Sequence, residues 1–406
     1  MAQPILTARG WKRGGRDQPR VRPLLLALAA AVTLGGCGAR SDESKIHGDT
    51  LTIYSSLPLH GVSASAAQAV AAGESFALGE AGSRAGRRRV RLVRLDSTRA
   101  GGRIWEPSLV SANAERAADD PTTIAYLGDL DYGASAVSLP ITNDKGIVQV
   151  SPADGLASLT AVPPGKPQAG PARYYPTDLR SFLRLTTSDL RSGELLLSRA
   201  RRSGAERLAV VYDGHIYGRE LAAEIVARAR RDGPDPVVAK ELQGDPSGMP
   251  DLVHDLAGDR PDAIIYAGVA GPLTAPLLAA VADRLPGAPV FASAGVLARQ
   301  RPLPSAPARV EGVTTLPPPE RLSPAGRQVM ARIARHAGTD GLSTEALGGY
   351  EAMRLVLAAI DRAGASRRGV LRAAMRRGAR TALVPANGFY LYRLSGGRFV
   401  FERELR

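Results

Sequence analysis

The chain has 406 residues, 44% apolar and 5% aromatic, with a formal net charge of +14. That length predicts two domains, with cores built mainly from Ala, Leu, Val and Ile. A single cysteine excludes an intrachain disulfide and the cysteine-rich zinc sites, and the basic excess, almost all arginine with its densest run at 84–94 ("RAGRRRVRLVR"), comes with no recognisable nucleic-acid module.

Residues 9–22 are basic and polar, Leu24–Val32 is apolar but too short to span a bilayer, and small residues then lead to Cys37. This is the three-part plan of a secretory signal. The ending Leu34-Gly35-Gly36-Cys37 resembles a bacterial lipobox. The resemblance implies a signal peptide over 1–36, cleavage before Cys37, and acyl chains on that cysteine. Small side chains suit a peptidase cleft, and a thiolate is the nucleophile that takes the lipid. Two or more acyl chains hold a protein stably at a membrane where one would not. Residues 37–48 then form the lipidated cysteine and a polar tether, which puts the protein on the outer face of the bacterial cytoplasmic membrane. The alternative is a signal cut elsewhere with Cys37 incidental. The long basic region also leaves room for a true start downstream of Met1.

In the mature chain "LTIYSSL" (51–57) reads as a strand and 63–82 as an alanine-rich helix. "RRVRLVRLD" (88–96) alternates as a half-exposed strand, 108–120 is helical, and strands at 123–130 and 146–152 flank a helix over 132–143. Glycines and prolines make 159–178 a loop. The rhythm restarts with a helix from Leu190 to Arg202 and continues as strand 206–213, helix 218–233, strand 236–243 and helix 250–259. Next come strand 262–268, helix 272–284, strand 288–295 and a crossing segment "VEGVTTLP" (310–317). Helices at 323–337, 343–363 and 367–376 lead to a hairpin over 388–404 that turns at Gly396-Gly397. Strand–helix alternation at this spacing predicts α/β architecture, each domain a mainly parallel sheet flanked by helices. A cleft between two such lobes is walled by the strand-end loops.

Several stretches carry a resemblance to the leucine/isoleucine/valine-binding type of extracytoplasmic solute-binding protein, the type 1 periplasmic-binding fold: "IYSSLPLHGVSASAAQAVAAGESFAL", "YLGDLDYGASAVSLPITNDKGIVQVSPA", "FLRLTTSDLRSGELL", "RLAVVYDGHIYGRELA" and "EALGGYEAMRLVLAAIDRAG". It covers residues 49 to about 404. It implies two lobes, 49–185 plus 317–383 and 186–313 plus 384–406, joined by three crossings near 184–188, 312–318 and 382–388. It also implies a small-molecule ligand in the interlobe cleft and an ABC permease as partner.

Carried over residue by residue, the family's ligand-holding serine falls on Tyr132 and its threonine on Gly155, while the aspartate that favours a ligand ammonium is matched by Asp189. The second-lobe tyrosine falls near Val269 or Ala270 and the glutamate near Ala294. The expected ligand-binding set is Ser55, Leu57, Tyr132, Gly133, Ala134, Ala153, Asp154, Asp189, Tyr217, Val269 and Ala294. Asp129, Asp131 or Asp154 is available as a substitute ammonium partner. Each candidate also has a plainer role: Tyr132 beside the start of the next helix, Asp189 as the N-cap of the helix at Leu190, His60 and His215 as loop polar groups. A zwitterion in a closed cleft needs every charge compensated. The pattern therefore points away from leucine or valine and toward a larger, less charged, aromatic or anionic solute, with a degenerate, non-binding cleft as the alternative.

No G-x-S-x-G elbow, H-E-x-x-H or Walker A motif is present, so no enzyme, cofactor or metal is expected. A ligand-sensing or partner-binding lipoprotein on the same fold, without a transport role, is the alternative. Sheets already covered by helices need no partner, which predicts a monomer.

Overall fold

The computed structural model describes residues 44–162, 167–242, 246–297, 309–339, 341–379, 383 and 388–405, all within one compact unit, Glu43–Arg406. Apolar alternation decides how each strand is used. In Thr50–Leu57 (β1), Leu51 and Ile53 join one apolar cluster and Tyr54 another, as period-two geometry requires of a strand covered on both faces.

The first sheet combines β1 with Arg84–Ala85 (β2), Arg88–Asp96 (β3), Thr123–Leu127 (β4), Val148–Ser151 (β5) and Phe182–Arg184 (β6). Its order is β2-β3-β1-β4-β5-β6, and only the β2–β3 pair is antiparallel. The second sheet holds Arg207–Asp213 (β7), Asp235–Leu242 (β8), Ala263–Ala267 (β9), Val290–Ala292 (β10), Val310–Thr314 (β11), Phe389–Ser395 (β12) and Arg398–Leu405 (β13). Its order is β13-β12-β11-β10-β9-β7-β8, parallel from β8 to β11 and antiparallel through the final hairpin. The two parallel cores, β3-β1-β4-β5-β6 and β8-β7-β9-β10-β11, repeat one doubly wound order.

Helices cover both faces of each sheet. Ala64–Glu80 (α1), Pro107–Asp119 (α2) and Ser135–Asp144 (α3) follow strands of the first sheet. Ser192–Arg202 (α4), Ile216–Asp232 (α5), Met249–Gly258 (α6), Thr274–Arg284 (α7) and the short Ala294–Leu297 (α8) serve the second. Pro324–Ala337 (α9), Glu345–Ala363 (α10) and Arg367–Arg377 (α11) return to the first, where Ile333, Met353 and Val370 share a cluster with Leu51 and Ile53. On β7, Leu208 and Val210 pack with Leu221 and Ile225 of α5, while Ala209 and Val211 pack with Val253 of α6 and Leu277 of α7.

Some expected elements differ. "VEGVTTLP" contains a strand of the second sheet, β11, so the chain leaves that sheet only after Thr314. "FLR", to which no strand was assigned, is β6, so the crossing expected near 184–188 begins as this strand ends. The strand expected over 288–295 ends at Ala292, where the chain turns into α8. The helix expected from Leu190 opens as a 3-10 turn, Asp189–Arg191, with Ser188 as its cap, and the α-helix begins at Ser192. The crossing expected over 382–388 lies outside the described residues but for 383 and 388.

Candidate functional site

A cleft of about 740 Å³ lies where strand ends of the two sheets meet. The first sheet supplies Ser63, Trp105, Asp131, Tyr132, Ala153 and Arg184, each just beyond β1, β3, β4 or β5 or at the end of β6. The second supplies Val269 and Ala294 beyond β9 and β10, the crossing residues after β11, and Tyr392 and Phe399 from the hairpin. Two crossing segments are clasped at the cleft by the Thr186 and Thr315 hydroxyls, 2.6 Å apart.

Of the eleven expected binding residues, Tyr132, Ala153, Val269 and Ala294 line this cleft. The others are packed behind it. Ser55 is buried and donates to Glu74 Oε1 at 2.9 Å. Leu57 packs among Ala67, Val70 and Leu130, and Ala134 packs beside Trp105 and Val110. Asp154 is a clamp: its carboxylate accepts from the backbone N–H of Gly133 (3.0 Å), Ser135 (2.9 Å) and Leu156 (3.1 Å). That ties the β4 and β5 loops together and satisfies the first backbone N–H of α3, that of Ser135. Gly133 passes so close to the second sheet's side that a Cβ there would lie 2.6 Å from Ile216 Cγ2.

Asp129 is also consumed structurally. It accepts from Ser138 Oγ at 2.5 Å, and its backbone N–H reaches Ser135 Oγ at 3.1 Å. Burial pushes its carboxyl up to about 7. His60 is exposed and pairs with Asp96 at 2.6 Å. His215 precedes α5 with its ring 5.6 Å from that of Trp105, and burial lowers its pKa.

Tyr132, Gly155, Asp189 and Tyr217 form one packing unit. The Tyr132 and Tyr217 rings lie 4.8 Å apart, centroid to centroid. A Cβ on Gly155 would sit 2.8 Å from Tyr132 Cε1 and 2.6 Å from Asp189 Oδ2. So the tyrosine and the glycine explain each other: the ring and the carboxylate fill the space a side chain at 155 would use. Asp189, 3% exposed, accepts from Ser192 Oγ at 2.8 Å, but its Oδ2 has no hydrogen-bond partner. Burial raises its pKa to about 7, against the pull of the Ser192 hydroxyl and the Arg184 charge.

Arg184 is the one cation among the described residues that line the cleft. Its guanidinium donates to the carbonyls of Asp154 (3.2 Å) and Leu156 (2.9 Å) and to Thr160 Oγ1 (2.9 Å). Burial lowers its pKa, while Asp154 and Asp189 raise it. Facing the cleft with it are two carboxylates. Asp131 accepts from Ser63 Oγ at 2.7 Å and is pushed up to about 6, chiefly by burial. Glu345, opening α10, is raised by burial too, and its Oε2 has no hydrogen-bond partner.

Trp105 and Glu345 escaped the sequence reading. The signal for Trp105 was there: of the chain's two tryptophans, it is the one within the family-like region, on the loop after β3. Glu345 carries no such mark, because it reads as an ordinary acid in the first turn of a helix. Among the described residues, no group of three or more His, Cys, Asp or Glu could hold a metal ion.

The chain is similar to a leucine-binding protein of Thermotoga maritima, with 18% identity, 88% of this chain and 99% of that one covered, and a TM-score of 0.66. It is likewise similar to a solute-binding protein of an R. palustris ABC transporter, solved with 4-hydroxybenzoate (15% identity, 88% and 96% covered, TM-score 0.66). A third is the branched-chain amino acid transporter substrate-binding protein of Streptococcus pneumoniae, solved with isoleucine (15%, 87% and 100% covered, TM-score 0.63). At these identities the likeness is one of fold. No curated protein matches the chain. The model of the family described as periplasmic binding protein matches residues 50–394, and with the two doubly wound sheets and the cleft at their strand ends, the chain belongs to that family of solute-binding proteins.

Proposed function

We propose that this protein is a lipid-anchored extracytoplasmic receptor that captures a small organic solute between its lobes and delivers it to an ABC importer. The lobes are 49–185 plus 317–383 and 186–313 plus 384–406, acyl chains on Cys37 hold the protein to the membrane, and it works as a monomer. The cleft of about 740 Å³ carries the reading, because both sheets contribute strand-end residues to its wall. Ligand that touches both lobes favours the closed form and stabilises the fold by mass action.

The solute is not a zwitterionic aliphatic amino acid. Tyr132, packed on Tyr217, stands where the family resemblance puts a ligand-holding serine, and Gly155 where it puts a threonine. The test is a thermal-shift screen of the detergent-solubilised protein against amino acids, small peptides, aromatic acids, sugars and amines, followed by uptake of the hit in cells with and without the gene. A clear shift with leucine or isoleucine overturns the reading of Tyr132 and Gly155. Uptake that does not depend on the gene overturns the transport role.

The same aromatic packing favours a second reading, a sensing or partner-binding lipoprotein on this fold. Neighbouring permease and ATPase genes support transport, and a neighbouring kinase gene supports sensing.

A further inference from the structure

This inference rests on the reading of the cleft as the solute site. The protein is rich in arginine, and outside the cleft some buried acids meet it, while Asp129, Asp154 and Asp213 are held by hydroxyl or backbone N–H groups. Glu311 is contacted by Arg199 at 2.8 Å, Arg309 at 2.7 Å and Arg393 at 3.7 Å, and Glu74 by Arg94 at 3.7 Å. Asp131 and Glu345 make no ion pair among the described residues, although the chain carries a net charge of +14. Glu345 Oε2 is buried without a hydrogen bond, and the group beside it is the neutral Ser343 hydroxyl. Arg184 does not answer them, since three of its N–H groups are held by backbone carbonyls and Thr160. A carboxylate withdrawn from water without a counter-charge is costly, and a cation arriving in the cleft removes that cost.

Two further observations point to the same kind of occupant. Aromatic side chains line the cleft, Trp105, Tyr132, Tyr392 and Phe399, and ring faces attract cations. Trp105 is 3% exposed, lines the cleft, and its indole N–H has no partner. A buried donor of this kind calls for an acceptor atom.

We infer that the cleft selects an organic cation, a protonated or quaternary amine on an aromatic or apolar body, whose charge is met by Asp131 and Glu345 and whose acceptor atom reaches the Trp105 indole. Asp131 and Glu345 set the charge preference, Trp105 sets the orientation, and the apolar wall takes the body of the molecule.

The test is calorimetric titration of the detergent-solubilised protein near neutral pH with matched probes: 4-methoxyphenethylamine and its trimethylammonium derivative against the neutral alcohol, the arylacetate and leucine. The amines are expected to bind about tenfold or more tighter than the alcohol. Glu345→Gln and Asp131→Asn should each weaken the amines about tenfold while leaving the alcohol unchanged. Added salt should weaken the amines alone. Circular dichroism and melting of each variant separate loss of binding from loss of fold. Tighter binding of arylacetate, leucine or the alcohol overturns the cation preference but leaves the solute receptor standing. Failure of the amines to bind, while a non-cationic solute from the wider screen does, has the same meaning. Failure of every solute in that screen overturns both.

Discussion

Gly155→Ala is the sharpest probe of how the cleft floor is built. The new methyl would lie 2.6 Å from Asp189 Oδ2 and 2.8 Å from Tyr132 Cε1, against a comfortable separation of about 3.5 Å or more. The ring must retreat by roughly 0.7 Å and the carboxylate by roughly 0.9 Å. Tyr132 cannot do so freely, because its ring rests 4.8 Å from that of Tyr217. Asp189 is held by Ser192 at 2.8 Å and by its own backbone N–H to Gly155 O at 2.8 Å. Overpacking of this kind costs about 1–3 kcal/mol. Tyr132→Ala removes one of the two clashing groups, so the double variant should lose less than the sum of the single losses, with a coupling of about 0.5–3 kcal/mol. Urea unfolding followed by both tryptophan fluorescence and circular dichroism measures these energies. A Gly155→Ala protein as stable as the parent, or strictly additive losses, would refute the claim that ring and glycine occupy one space.

Stability should fall as pH rises from mildly acidic to mildly alkaline. Glu74 is 1% exposed, and burial raises its carboxyl from 4.5 to about 7. The fold favours its neutral form, so that contribution is full below about pH 4.5 and is lost as the pH passes 7, by at most about 3 kcal/mol. Asp129, also pushed up to about 7, adds a slope of the same sign. Glu74→Gln should flatten the urea-midpoint profile between about pH 5 and 8, and an unchanged slope would assign the dependence elsewhere. Gly349→Ala should destabilise strongly, by about 3 kcal/mol, because its methyl would run into the Val70 carbonyl where α10 crosses α1; normal melting would refute that close approach. Cys37→Ser should move the protein from the membrane fraction to the soluble fraction of cells, and an unchanged distribution would remove the acyl anchor.

Sequence pattern alone carried the α/β alternation, because long strands and helices repeat with different periods along the chain. The hairpin turning at Gly396-Gly397 and the α10 stretch "EALGGYEAM" were legible for that reason. The short strands β6 and β11 were not: three and five fully buried residues show no alternation, so they looked like connecting chain. The loops that wall the cleft were legible, but not the side chains that face it. Ser55, Leu57, Asp154 and Asp189 stand at strand ends as expected, yet their side chains turn to Glu74, to an apolar cluster, to backbone N–H groups and to Ser192. Which way a strand-end residue points depends on the neighbours that compete for it, and these arrive from distant parts of the chain. Trp105 and Glu345 are 240 positions apart and meet at one cleft only because α9 to α11 fold back onto the first sheet. That return, and the charge balance it leaves in the cleft, is a property of the tertiary structure.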